Sequence, residues 1–220
     1  EEVSRVLGDT RGRAFCERYG ITAEGNFEGM GIPNLLGEEG PWIPDPDTAS
    51  DCERLYVYRK DRCPLHKDDK VLTSWNSLMA AACAKGARIA FRLEEEEALA
   101  QMPILEQCLS RAEKSFAFIR HSLTGKDGRL LVRYRDGEAR HRGNLDDYAF
   151  YAWALLSMYR TVFETPYLEE AVRVTETMVT YFLDEENGGS YLYASDGEQL
   201  ISRPKETIDG AMPSGNTAAA

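Results

Sequence analysis

The stretch Leu145-Asp146-Asp147-Tyr148-Ala149-Phe150-Tyr151-Ala152-Trp153-Ala154-Leu155-Leu156-Ser157-Met158-Tyr159-Arg160-Thr161-Val162-Phe163 decides the fold. Its aromatic and aliphatic side chains cover most of the circumference of a helix, and a helix that is apolar nearly all round is a buried one. The same kind of helix is read over Thr73–Phe91, where Trp75, Leu78, Met79, Ala80, Cys83, Ala84, Ala87 and Ile89 leave only Lys85 and Arg88 as charges past the first turn. A third helix of this kind begins at Pro213-Ser214. The three starts lie near Thr73, Leu145 and Ser214, in steps of 72 and 69 residues.

Each buried helix is followed by an amphipathic one. Glu95–Leu123 is the first, with Pro103 as a point of kinking or restart. Tyr167–Leu183 is the second, with Glu169, Glu170, Arg173 and Glu176 on its polar side. Short strands, Arg129–Arg135 and Ser190–Ala194, lie between turn signals after these helices. A unit of buried helix, amphipathic helix, short β-hairpin and return loop cannot close its own core and has to stack on its neighbours. The pattern predicts an all-α fold, a partial α/α toroid with short β-hairpins between helical hairpins. Two complete hairpins, part of a preceding one and the first turn of another do not close a ring. Residues 1–220 are therefore read as a fragment of a single toroid domain, with 1–47 an irregular lead-in and 48–220 the helical hairpins. Within the lead-in, Phe15, Cys16 and Tyr19 share one side of a weak helix, and Gly20–Asp47 is rich in Gly and Pro. A helix over Thr48–Arg62 follows, stopped by Pro64.

Composition narrows the function. The chain has 220 residues, 43% hydrophobic and 29% charged, the balance of a globular protein. Its 26 basic and 37 acidic residues give a net charge of −11, which repels phosphate backbones and anionic lipid, so neither nucleic acid nor a membrane surface is an expected partner. No window approaches the roughly 18 apolar residues of a membrane span. The five cysteines, Cys16, Cys52, Cys63, Cys83 and Cys108, are odd in number and form no CxxC pair. They read as reduced thiols in a cytoplasmic setting, with no metal or other cofactor expected.

In such a repeat the loops that precede the buried helices converge on one rim. Those loops are Asp68–Asn76, His141–Tyr148 and Arg203–Asn216. They are dense in carboxylates, amides and bases, and in aromatic rings able to stack on a pyranose. That is the composition of a sugar site, and two carboxylates facing a glycosidic bond are the minimum for acid/base hydrolysis. The candidate catalytic residues are Asp147, Asp69 and Asp209. The candidate substrate contacts are Trp75, Asn76, Tyr148, His141, Glu206 and Asn216. Asp146 is read instead as a helix-start residue beside the N-cap Asn144. Trp75 also fits a core position, and Ser214 fits a cap.

Three stretches carry a resemblance: Asp68-Asp69-Lys70-Val71-Leu72-Thr73-Ser74-Trp75-Asn76, Leu145-Asp146-Asp147-Tyr148-Ala149-Phe150, and Lys205-Glu206 with Asp209-Gly210-Ala211-Met212-Pro213-Ser214-Gly215-Asn216. Together with Tyr19-Gly20-Ile21-Thr22 and Gly25-Asn26-Phe27-Glu28-Gly29 they resemble the YyaL/spermatogenesis-associated protein 20 family, in order, from about Tyr19 to Ala220. Ser77 stands where that family usually has Gly, and Ser190-Tyr191-Leu192-Tyr193 is a loose version of its Gly-Gly-aromatic strand. The resemblance implies a six-hairpin, glycosidase-like toroid preceded by a thioredoxin-like domain, of which this chain is a piece of the toroid. Such toroids are similar to N-acylglucosamine 2-epimerases, which rely on paired histidines, and to unsaturated glucuronyl hydrolases, which rely on paired aspartates. The expected function is carbohydrate processing or binding, as a glycoside hydrolase or sugar isomerase using rim carboxylates on a small-molecule sugar. The rival expectation is a non-catalytic binding or structural module of a thioredoxin-like redox protein.

Overall fold

The computed structural model describes residues 1–37, 46–90, 95–197 and 201–220. The expected helix end at Phe91 and part of the Gly/Pro-rich lead-in (38–45) lie outside the described residues. The chain divides into two units, Glu1–Asp68 and Asp69–Ala220.

The first unit holds α1 (Glu2–Leu7), α2 (Asp9–Arg18) and α3 (Pro46–Arg62). Helices thus occupy most of the first eighteen residues of the expected irregular lead-in. Gly8, at φ 86°, separates α1 from α2, a backbone conformation that a β-carbon disfavours. Arg11 pairs with the buried Asp51 carboxylate at 2.9 Å, and the Tyr58 hydroxyl donates to Glu2 at 3.2 Å. Residues 20–37 carry only an isolated bridge, Phe27 to Met30, as their Gly and Pro content leads one to expect.

The second unit contains the repeat. Strand β1 (Val71–Leu72) runs straight into α4 (Thr73–Ala90), and α5 (Glu95–Ser122) follows. Pro103 lies inside α5 and does not end it. Strands β2 (Leu131–Arg135) and β3 (Glu138–Arg142) lead into α6 (Leu145–Val162), and then come α7 (Thr165–Phe182) and the short α8 (Gly215–Ala219). Asp136 and Gly137, at φ 53° and 79°, make the two-residue turn between β2 and β3, the left-handed pair whose twist suits a tight hairpin. The antiparallel sheet has the order β1-β2-β3, with Val71 opposite Tyr134 and Leu131 opposite Arg142. Because β1 and β3 each run into a helix of the buried kind, this sheet ties the start of α4 to the start of α6.

Helices α4 and α6 run side by side in the same direction. Near their starts the Ser74 amide donates to Asp147, and near their ends the Thr161 hydroxyl donates to the Ala84 carbonyl at 3.0 Å. Ala80, Ala81, Ala84 and Ala87 keep α4 thin, so that α6 can bring Tyr148, Tyr151, Leu155 and Met158 into the core. Phe116, Ile119 and Leu123 of α5 and Phe182 of α7 complete it. Helix α6 is buried along most of its length, as its sequence predicts. Helix α4 is not: Trp75, Met79 and Ile89 form an exposed line along it.

The expected strand Ser190–Ala194 is not a strand, apart from one bridge between Leu183 and Ser190. Its backbone is paired, but to separate segments. Tyr191 donates to the Phe182 carbonyl, Leu192 donates to that of Pro204, and the Leu192 carbonyl accepts from the Leu145 amide. Partners on different segments satisfy the peptide groups without a ladder. No helix among the described residues is long and apolar enough to cross a membrane.

Candidate functional site

The starts of α4, α6 and α8 are joined through two adjacent aspartates in the first turn of α6. Asn144 is the N-cap, with φ −86° and ψ 173°, and Asp147 is the third helical residue. The Asp147 Oδ2 accepts from the Asn144 amide at 2.9 Å, closing a capping box. Its Oδ1 accepts from the Ser74 amide of α4 at 3.0 Å. One carboxylate thus satisfies unpaired amides at the starts of two helices. Asp147 is 2% exposed. Burial raises its pKa to about 7, against the two amide hydrogen bonds, which favour the charged form.

Asp146 faces the other neighbour. It lies against Gly215, the first residue of α8, so closely that a β-carbon there would sit 2.4 Å from Asp146 Oδ1. Only glycine permits this approach. Oδ1 is enclosed and has no hydrogen-bond partner among the described residues. Burial is the main cause that raises the Asp146 pKa, the negative charge of Glu206 adds to it, and the Gly215 amide opposes it in part. The rim therefore brings together three carboxylates, of Asp146, Asp147 and Glu206, two of them with raised pKa.

The remaining rim residues have defined places. Asn216 donates to the carbonyls of Ser190 and Glu206 and accepts from the Ser190 amide, so its amide group is spent on the backbone. Asp209 is exposed and accepts from the Ser214 amide at 2.9 Å, which favours its charged form. Ser214 is the N-cap of α8, accepting from the Thr217 amide, as its position in the sequence predicts. Asp69 is exposed and pairs with Arg135 at 2.8 Å, and among the described residues no hydrogen bond or ion pair joins it to Asp147 or Asp209. Asn76 donates to the Leu72 carbonyl, one turn back on its own chain. Trp75 is 59% exposed. His141, at the end of β3 with φ 64°, lines a cavity of about 390 Å³ with Asn144, Tyr193 and Asp196.

Tyr148 corrects the expectation of a stacking platform. Its ring is 1% exposed and packs against Phe182, with centroids 5.2 Å apart, so neither face is open to a ligand. Its hydroxyl accepts from Arg129 Nε and the Leu130 amide. No local pattern signals this, since an aromatic residue in the first turn of a helix faces a rim or a core with equal ease. Asp146 is the residue that sequence reasoning set aside as a helix-start acid. Its signal was Gly215 in the next repeat, a small residue where a helix begins. Among the described residues no three His, Cys, Asp or Glu side chains gather as metal ligands do.

No known family profile matches the chain. Spermatogenesis-associated protein 20 of Mus musculus is 31% identical over 179 residues, which are 76% of this chain and 21% of that protein. The Homo sapiens protein of the same name is 31% identical over 181 residues, 78% of this chain and 21% of its own length. That of Rattus norvegicus is 29% identical over 178 residues, with 76% and 21% covered. Homologues at that level of identity, over about three quarters of this chain, are thus named spermatogenesis-associated protein 20, and the chain spans about a fifth of their length.

Proposed function

We propose that the chain supplies a carboxylate-bearing rim to a carbohydrate-processing α/α toroid. The observation that carries this reading is Asp146, a half-buried carboxyl whose proton is favoured by burial, with one oxygen unpartnered and the charge of Glu206 beside it. A carboxyl whose charged form is disfavoured, with a second carboxylate beside it, is the arrangement suited to transferring protons to and from a sugar oxygen. In this reading Asp146 donates the proton, and Glu206, Asp209 and Asp69, all exposed, accept hydroxyls or act as base. Trp75 offers an exposed ring to a pyranose face, and His141 and Asn76 border the same rim. Asp147 acts one step back, by fixing the helix starts. The exposed line Trp75, Met79 and Ile89 on α4 supports a ring continued by a further helix, in relatives of which this chain spans about 21%. The five unpaired cysteines suit a reducing, cytoplasmic compartment.

A second reading, a non-catalytic binding or structural module attached to a thioredoxin-like domain, draws on a different observation. Asp147 and Asn216 spend their polar atoms within the protein. The test uses the full-length protein, a panel of glycosides and free sugars, and the variant Asp146→Asn. If Asp146 is the proton donor, turnover falls by about 10²–10⁴ with the melting temperature kept. A protein that binds sugars but turns none over, with equal affinity in parent and variant, supports the second reading and defeats the first.

A further inference from the structure

Away from the rim carboxylates, α5, α6, α7 and the turn after α5 enclose a cavity of about 540 Å³. Arg129 lines it with its side chain 6% exposed. The guanidinium lies over the Tyr181 ring, 3.7 Å from the centroid. Nε donates to the Tyr148 hydroxyl at 2.9 Å and Nη1 to Asp196 at 2.7 Å, while Nη2 is buried and has no partner among the described residues. Tyr148 lines the same cavity, and its oxygen already accepts two hydrogen bonds, from Arg129 and from the Leu130 amide. Its own proton has no acceptor among the described residues. Two buried residues at one cavity therefore hold unspent donors, an arrangement that is costly while no acceptor is present.

The charges around the cavity select the acceptor. Glu170 is occupied by Arg120 and by the Tyr151 hydroxyl, and Asp127 by Arg142 and the Arg129 amide. Arg173 is exposed on the lining and forms no ion pair among the described residues. Positive charge and free N–H and O–H donors remain, with the lining carboxylates already committed. A cation finds no ligands there, and a neutral polyol leaves the charge unmatched, whereas an oxyanion answers both.

We propose that this cavity binds a small oxyanion, the carboxylate or phosphate group of a metabolite, through Arg129, Tyr148 and Arg173. The test is calorimetric titration of the full chain with inorganic phosphate and, separately, with succinate, at constant ionic strength with chloride as the reference. Saturable binding of either probe is expected, and the probe that binds more tightly assigns the group. Arg173→Gln, an exposed change, is expected to weaken that binding about tenfold, or about 1.4 kcal/mol, with the melting temperature unmoved. Tyr148→Phe is expected to weaken it as well, read per folded molecule. Absence of saturable binding for both probes, or binding that Arg173→Gln leaves intact, overturns the proposal.

Discussion

At the start of α6 two neighbouring aspartates meet two different neighbours. Toward α4, Asp147 gives both oxygens to backbone amides, one on its own helix and one on the other. Toward α8, the enclosed Oδ1 of Asp146 accepts no hydrogen bond among the described residues, and the charge of Glu206 lies beside it. Both residues are acids in the first turn of a helix, where the dipole favours them equally. What separates them is the tertiary neighbour. The α4 junction presents an N–H in hydrogen-bonding line with the Asp147 carboxylate, while the α8 junction presses a glycine against that of Asp146 and offsets its burial only in part. One junction is built for holding helices together, and the other leaves chemistry unspent.

The sharpest way to break this contrast is to remove the shared cap. Asp147→Ala leaves the Ser74 and Asn144 amides unpaired in a buried place and is expected to cost about 2–4 kcal/mol, measured by denaturant unfolding. A loss under about 1 kcal/mol would show that the two amides find other partners and that the junction does not depend on this residue. Next in size is Gly215→Ala. The added carbon meets Asp146 Oδ1 at 2.4 Å and Leu145 Cγ at 2.8 Å. The expected cost is about 1–3 kcal/mol, with α8 displaced from the start of α6. A neutral effect would mean that α8 is already free to shift.

Of comparable size is a pH dependence. Asp147 has its pKa raised from 3.8 to about 7, so between those values the folded chain holds a proton that the unfolded chain has released. Stability rises with pH only where the unfolded state binds more protons, so here Asp147 makes the fold less stable as pH rises through that window. The unfolding free energy of the parent, minus that of Asp147→Asn, is expected to fall from pH 4 to pH 7. A difference that stays flat would mean that the two amides hold the charged form without penalty. The smallest effect is expected at Asp69. Its pair with the half-buried Arg135 is open to solvent on the Asp69 side, and Asp69→Asn is expected to change stability by about 0.5 kcal/mol or less. A larger loss would make the sheet side of the rim a structural junction like that of Asp147.

Much of the architecture is legible in the chain itself. The spacing of apolar residues places α4, α6 and α8 within a few residues of their observed starts, because helical periodicity is a local property. Ser214 is a cap in the structure as in the sequence, and Asp136-Gly137 makes its turn, since both depend only on adjacent backbone. The chain also carries enough of its family's motifs to be placed among its relatives. Tertiary structure alone decided which rim acid is spent and which is open. The amide that binds Asp147 comes from Ser74, 73 residues away, and the glycine that crowds Asp146 comes from the next repeat. It also turned the Tyr148 ring into the core and enclosed Arg129 beneath Tyr181. A side chain's partners and its burial are set by whatever other segments pack against it, and no local pattern encodes that choice.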